Sequence, residues 1–240
     1  LIEELIEEIN VQQIDHLLEI GPGKGAMTSL LLEKCESLTA IEIDKDLIRF
    51  LKKAYGDRKN FNLIEKDILL YNPKELLRVN KLIGNIPYNI STPIIEWIID
   101  NKSSFDEIFL MLQKEFGERC VAQPNTKSYG RLSIFVQCFF DVTVIREVDK
   151  SSFTPSPKVQ SIFLKLIPKV SDMTPNSLLM KNLSTLTREA FSKRRKLITN
   201  SLKSFFTEED LVNLGIDRKS RPENLSVETY IKLAKSIQSG

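Results

Sequence analysis

Three short segments of this 240-residue chain carry glycines, carboxylates and amides at spacings that suit chemistry on a bound small molecule. The first is Leu17-Leu-Glu-Ile-Gly-Pro-Gly-Lys-Gly-Ala-Met-Thr28, where an apolar run enters glycines at 21, 23 and 25 and a helical pattern follows. Glycines lacking a Cβ let the backbone turn sharply and approach a ligand closely. A dinucleotide site would space them G-x-G-x-x-G. Here the third glycine comes one residue early, and Pro22 removes an N–H that a pyrophosphate would use. The loop, preceded by Glu19, therefore favours S-adenosylmethionine, whose thioether-linked amino acid stands where the pyrophosphate would be. Taken alone, such a turn also joins strand to helix without any ligand.

The second segment is acidic. Glu42 follows Gly21 at the carboxyl end of the next strand pattern. A carboxylate about 20 residues beyond a glycine loop is placed to accept the hydroxyls of a ribose. Asp44 competes for that role but stands immediately before a helical pattern, where capping is its ordinary use. Asp67, ending the next strand pattern, is a candidate acceptor for the adenine amino group of the cofactor; a plain strand-end turn residue is the alternative.

The third segment, Gly84-Asn-Ile-Pro-Tyr-Asn-Ile-Ser91, is a turn with an aromatic residue and two asparagines inside it. An exocyclic adenine amine is a poor nucleophile because its lone pair is delocalised into the ring. Two acceptors on its N–H bonds, the Asn85 carboxamide oxygen and the Ile86 carbonyl, would draw the nitrogen toward sp³ and localise that pair. With Pro87 shaping the turn, Tyr88 is placed to stack on the base, a contact worth about 1–3 kcal/mol. A sulfonium donor departs as a neutral thioether and the attacked amine becomes strongly acidic, so no resident general base is required. That suits a chain whose one histidine, His16, is expected to be structural.

These segments need a scaffold, and the hydrophobic pattern supplies one. Strand-like runs at His16–Ile20, Leu38–Ile43, Phe61–Ile64, Lys81–Ile83, Glu107–Leu112, Val142–Val148 and Gln160–Ile167 alternate with helical periods at Ala26–Lys34, Leu47–Ala54 and Ile94–Ile99. Such alternation predicts an α/β fold with a mostly parallel sheet. The last two strands have no helix between them and are expected to pair antiparallel. Residues 168–175 read as a linker. Beyond it Leu179, Leu183, Leu186, Ala190, Leu197 and Leu202 form a helical stripe, followed by helical patterns at Glu208–Leu214 and Val227–Ile237. The reading is a domain over residues 1–170 and a small all-helical domain over 171–240. A hydrophobic share of 42% with 28% charged residues excludes a disordered tail, and no apolar stretch is long enough for a membrane helix. Cys35, Cys120 and Cys138 lie far apart with no C-x-x-C pair, so no structural metal is expected and a reducing compartment is.

Taken in order, the segments are identified with a family. The chain resembles the small-subunit rRNA adenine dimethyltransferases over nearly its whole length. The resemblance rests on Glu19–Thr28, Ile41-Glu-Ile-Asp44, Gly84–Pro93, Met111-Leu-Gln-Lys-Glu115, Tyr129-Gly-Arg-Leu-Ser133, Phe153-Thr-Pro-Ser-Pro-Lys-Val159 and Arg194–Leu202. It implies a Rossmann-like class I S-adenosylmethionine-dependent methyltransferase sheet and dimethylation at N6 of two adjacent adenosines near the 3′ end of small-subunit rRNA. It also implies a cofactor site of Glu19, Gly21, Gly23, Glu42, Ile43, Asp67, Ile68 and Asn85. Catalysis falls to Asn85, Ile86, Pro87 and Tyr88, with Phe153 and Tyr88 clamping a flipped-out base. The implied partner is rRNA in a pre-ribosomal small subunit, met by a monomer, with no metal and no membrane; residues 1–240 carry no targeting segment, so the bacterial cytoplasm is the expected compartment. The family opens with a basic segment and a Gly-Gln-Asn-Phe-Leu motif. This chain opens at Leu1, in mid-helix and without an initiator Met, and is expected to be a fragment lacking its natural start.

Arg188, Lys193, Arg194, Arg195, Lys196 and Lys203 set six positive charges against Glu189 over positions 188–203, although the whole chain is only +2. A charge run is usually a solvated helix face, and Lys193–Lys196 also has the composition of a nuclear-localisation signal. For an rRNA enzyme it reads as a phosphate-binding patch, with Arg188, Lys193, Arg194, Arg195 and Lys196 as its contacts. Lys114, Lys127 and Arg131 are further candidates. The competing readings are an erythromycin-resistance methyltransferase acting on large-subunit rRNA, a non-catalytic transcription-factor relative, a ribosome-assembly binder, and a nicotinamide dehydrogenase. The Phe153–Val159 segment with its helical domain disfavours the first. Intact cofactor carboxylates and catalytic turn disfavour the second, and the early third glycine the last.

Overall fold

The computed structural model describes residues 1–76, 78–152, 159–170, 174 and 177–237, with residues 88 and 152 described through their backbone alone. Strands β1 (His16–Ile20), β2 (Ser37–Glu42), β3 (Phe61–Glu65), β4 (Lys81–Asn85), β5 (Glu107–Gln113), β6 (Phe140–Val148) and β7 (Ser161–Pro168) form one sheet in the order β3-β2-β1-β4-β5-β7-β6. The pairs β1–β2, β1–β4, β2–β3 and β4–β5 are parallel. Strand β7 runs antiparallel to β5, and β6 closes the edge beside it. Helices α1 (Ile2–Ile9), α2 (Thr28–Leu31), α3 (Lys45–Tyr55) and α4 (Ser91–Asp100) belong with this sheet in chain order, and α5 (Lys114–Val121) follows β5. This is the mostly parallel α/β sheet that the apolar pattern predicts, in the Rossmann-like form that the family resemblance implies.

The inner strands are nearly continuous apolar runs because both of their faces are covered. Leu18, Leu38, Ala40, Leu82, Ile108, Phe109 and Leu110 are all fully buried. Edge strand β3 buries none of its residues fully and exposes Asn62 and Glu65. Helix α1 buries Leu5, Ile6 and Ile9 in a cluster with Leu17, Leu38, Ile83, Phe109 and Phe163. His16 opens β1, with its ring bonded to the Ser37 hydroxyl at 2.7 Å, far from the carboxyl ends of the strands.

The chain divides into two compact units, one of residues 1–117 and 142–168, the other of residues 118–141 and those from 169 onward. The second unit contains α6 (Arg131–Phe139), α7 (Leu178–Ser192), α8 (Ile198–Ser201), α9 (Glu208–Asn213) and α10 (Val227–Ser236). The break at 168 lies close to the linker read from sequence. Residues 118–141, assigned there to the first domain, go with the helices. Two buried tyrosines show why: Tyr129 Oη donates to Leu225 O at 2.9 Å and Tyr230 Oη to Pro222 O at 2.8 Å. The Phe191 ring packs against both of them. A boundary drawn along a linear sequence cannot register a segment that joins the second core before the chain returns to the sheet. Among the described residues no helix is long and apolar enough to cross a membrane.

Candidate active site

Sheet register gathers the predicted residues. His16 lies opposite Ser37 and Ile20 opposite Ile41, a constant offset along the pair. One step further along, Gly21 stands beside Glu42, itself opposite Glu65 of β3. On the other side Ile20 pairs with Gly84, so Gly21 also stands beside Asn85, which pairs with Met111. The glycine turn, the carboxylate and the asparagine thus occupy one row at the carboxyl end of the sheet. Strand order reverses between β1 and β4, the place where open α/β sheets bind ligands. A Cβ on Gly21 (φ +62°) would come within 3.9 Å of the Asn85 carbonyl oxygen, so the two loops lie against each other.

The glycine loop is braced from below and from the side. Glu19 is 4% exposed and accepts a hydrogen bond from the Thr28 hydroxyl at 2.7 Å, tying the strand end to the start of α2. Burial, reinforced by the nearby charge of Glu42, pushes its carboxyl pKa up to about 7 against the pull of the Thr28 bond. Tyr55 Oη donates to Gly25 O at 3.1 Å, and a Cβ on Gly25 (φ +77°) would sit 2.6 Å from the Tyr55 ring. Gly25→Ala is therefore expected to cost about 1–2 kcal/mol from backbone conformation alone, with ring displacement added. Urea unfolding of the variant measures this, and an unchanged midpoint would contradict it.

Glu42 is buried, and its Oε1 accepts the N–H groups of Ile43 and Asp44 at 2.9 and 3.0 Å. Its Oε2 accepts nothing among the described residues. Asp44 caps α3, with Oδ1 accepting from Asp46 N and Leu47 N, so local structure already uses it. Ile43 is 66% exposed, while Ile68 is buried. Asp67 is half-buried and caps the 3₁₀ turn Ile68–Leu70 through the Leu69 N–H at 2.9 Å.

At the end of β4 the Asn85 side chain is exposed and makes no hydrogen bond among the described residues. Its backbone is fixed by its neighbour: Ile86 is 1% exposed and its N–H donates to Met111 O at 3.0 Å. A Cβ on Gly84 would meet Ile86 Cδ1 at 2.7 Å, so glycine at 84 is what lets Ile86 fold back under the strand end. Pro87 is exposed, and a 3₁₀ turn over Tyr88–Ile90 leads into α4. Phe153 and the Tyr88 side chain lie outside the described residues.

The model of the ribosomal RNA adenine dimethylase family matches residues 1–239. The chain belongs to that family. A ribosomal RNA small subunit methyltransferase A of Legionella pneumophila (strain Corby) is 40% identical over 240 residues, spanning 100% of this chain and 93% of the relative. Among solved structures, a dimethyladenosine transferase from Plasmodium falciparum is 29% identical with a TM-score of 0.80, covering 97% of this chain and 93% of that one. The 23S rRNA methyltransferase ErmE superposes with a TM-score of 0.75 at 22% identity over 98% of this chain and 96% of its own, which shows the shared fold. This member of the family therefore has the class I methyltransferase fold. The residues present fit that cofactor: a carboxylate with a spare oxygen beside a glycine turn that the next strand end closely approaches.

The basic cluster of this family member lies in the helical unit. Arg188, Lys193, Arg195 and Lys196 are exposed, and Lys193 pairs with Glu189 at 3.6 Å. Arg194 differs: its Nε bonds Glu223 at 2.5 Å and its Nη2 the Thr126 carbonyl at 3.1 Å. Lys114 pairs with Glu147 at 2.7 Å. Sequence reasoning gave no role to Tyr55 or Thr28, both of which hold the glycine loop. Thr28 closes the quoted motif and carried a readable signal, whereas Tyr55 sits 30 residues from its partner with none.

Proposed function

We propose that this protein transfers methyl groups from S-adenosylmethionine to N6 of two adjacent adenosines near the 3′ end of small-subunit rRNA, two to each, within a pre-ribosomal small subunit. The observation that carries this is the Asn85 carboxamide, without a hydrogen bond among the described residues, standing in one row with Gly21 and Glu42 at the strand-order reversal. The small-subunit target is supported by the 40% identical relative named for it.

When bound, S-adenosylmethionine supplies an electrophilic methyl group on a positively charged sulfur. Glu42, with Oε1 held by two backbone N–H groups, keeps Oε2 for the ribose hydroxyls. Asp67 accepts from the adenine amino group, Ile43 and Ile68 flank the ring, and Gly21 and Gly23 let the backbone come close. On the substrate side the Asn85 Oδ1 and the Ile86 carbonyl take the two N–H bonds of the target amine, and Tyr88 with Phe153 stacks the flipped base. Once methylated, the amine sheds its proton to water. One N–H then remains, and one acceptor suffices for the second transfer. Holding the amine in near-attack geometry supplies much of the acceleration.

Glu42→Ala is expected to weaken cofactor binding about 10- to 100-fold, the worth of a charge-assisted hydrogen bond. Asp44→Ala should instead cost about 1 kcal/mol of stability through its lost cap and leave cofactor affinity nearly unchanged. Calorimetric titration of both variants separates the roles, and equal losses of affinity would contradict the assignment. The target itself is tested with radiolabelled S-adenosylmethionine offered to undermethylated small subunits and, separately, to protein-free large-subunit rRNA. Label in the small subunit supports the proposal; label confined to large-subunit rRNA overturns it in favour of the resistance-type activity.

A further inference from the structure

Not all of the basic cluster is equally available to RNA. Arg194 spends its guanidinium on Glu223 and on Thr126 O, from two other loops of the helical unit. Further bonds join the same three loops: Asn125 N donates to Glu223 O at 2.8 Å, Asn224 Nδ2 to Asn125 Oδ1 at 2.7 Å, and Ile198 N to Ser220 O at 2.8 Å. Each loop carries cations beside these junctions. Lys127 follows Thr126, Arg195 and Lys196 follow Arg194, and Lys219 and Arg221 flank Ser220. All five are exposed and make no ion pair among the described residues. By contrast Arg218, one step further away, is paired with Glu208 at 3.1 Å.

We infer that the RNA-binding surface of the helical unit is a three-loop platform made by Lys127, Arg195, Lys196, Lys219 and Arg221, and that Arg194 is a positioning residue clamping the loops rather than a phosphate contact. The inference rests on the proposed rRNA substrate. Its partner is the phosphate backbone of structured RNA, because five exposed cations on loops joined by hydrogen bonds match a run of anions and carry no base-reading geometry.

The decisive variant is Glu223→Gln, which removes a negative charge and no positive one. If Arg194 touched phosphate, freeing its guanidinium would tighten binding. The clamp predicts the reverse: binding of undermethylated small subunits about three- to tenfold weaker, a shallower salt dependence, and an Arg194→Ala/Glu223→Gln double variant no worse than Arg194→Ala. Lys219→Ala and Arg221→Ala, which leave the clamp alone, should each reduce the slope of log K against log salt by about 0.7–0.9, one phosphate contact apiece. Tighter binding by Glu223→Gln, or wild-type slopes in both Lys219→Ala and Arg221→Ala, would overturn the platform while the rRNA reading stands, provided Arg195→Ala still weakens binding. If wild-type protein binds neither small subunits nor their rRNA, the substrate reading falls and the platform with it.

Discussion

Asn85→Ala is expected to slow methyl transfer about 10²–10³-fold, the usual cost of deleting one preorganised polar group that acts on the reacting atoms. The side chain is exposed and makes no hydrogen bond among the described residues, so folding stability should change by less than about 0.5 kcal/mol. A large rate loss with an unmoved melting point is the signature of a group kept for substrate. Asn85 also belongs to the predicted cofactor set, and the two roles separate kinetically. If it mainly held the cofactor, saturating S-adenosylmethionine would restore the rate. As an acceptor for the target amine, its loss persists at saturation of both substrates. Single-turnover rates at saturating cofactor decide between these, and recovery to within about threefold of wild type would remove Asn85 from the chemistry.

Glu19→Gln should flatten the pH dependence of stability in the cofactor-free protein. Burial lifts the folded-state pKa of Glu19 from the ordinary 4.5 to about 7. Between those values the folded chain keeps a proton that the unfolded chain has released. The contribution of this group to stability is therefore full below about pH 4.5 and is lost as pH rises toward 7. Over pH 5 to 8 the loss is about 2–3 kcal/mol at 1.36 kcal/mol per pKa unit. Glutamine keeps a carbonyl oxygen for the Thr28 hydroxyl and never ionises. Urea unfolding at pH 5 and pH 8 should show the wild type losing that much more stability than the variant. Parallel behaviour of the two proteins would mean that Glu19 stays ionised in the fold.

What sequence makes legible follows from what is local or periodic. The place of Glu42 beside Gly21 is readable because its distance from Gly21 is the length of one strand–helix–strand repeat, which is also the register offset of β1 and β2. Asp44 is readable as a cap because the helix it caps begins at the next residue. The Asn85 turn is readable because Gly84 opens it, Pro87 lies inside it and few structural uses exist for its other side chains. Contacts between distant segments are not readable. Counting charges makes Arg194 one member of a basic run, whereas its partner Glu223 lies 29 residues on and Thr126 lies 68 residues back. Residues 118–141 escape assignment to the helices for the same reason: their anchors, Tyr129 on Leu225 and the packing of α6 with α7 and α10, are made far along the chain.

We propose that the row of Gly21, Glu42 and Asn85 at the strand-order reversal serves adenine N6-dimethylation. Its most direct test is nucleoside mass spectrometry of small-subunit rRNA after incubation of undermethylated subunits with the protein and S-adenosylmethionine. The expected product is N6,N6-dimethyladenosine at two adjacent positions near the 3′ end, absent when Asn85→Ala protein is used for the same time. Methylation at a ribose or at another base, or the same dimethyladenosine yield from the Asn85→Ala protein, would contradict it.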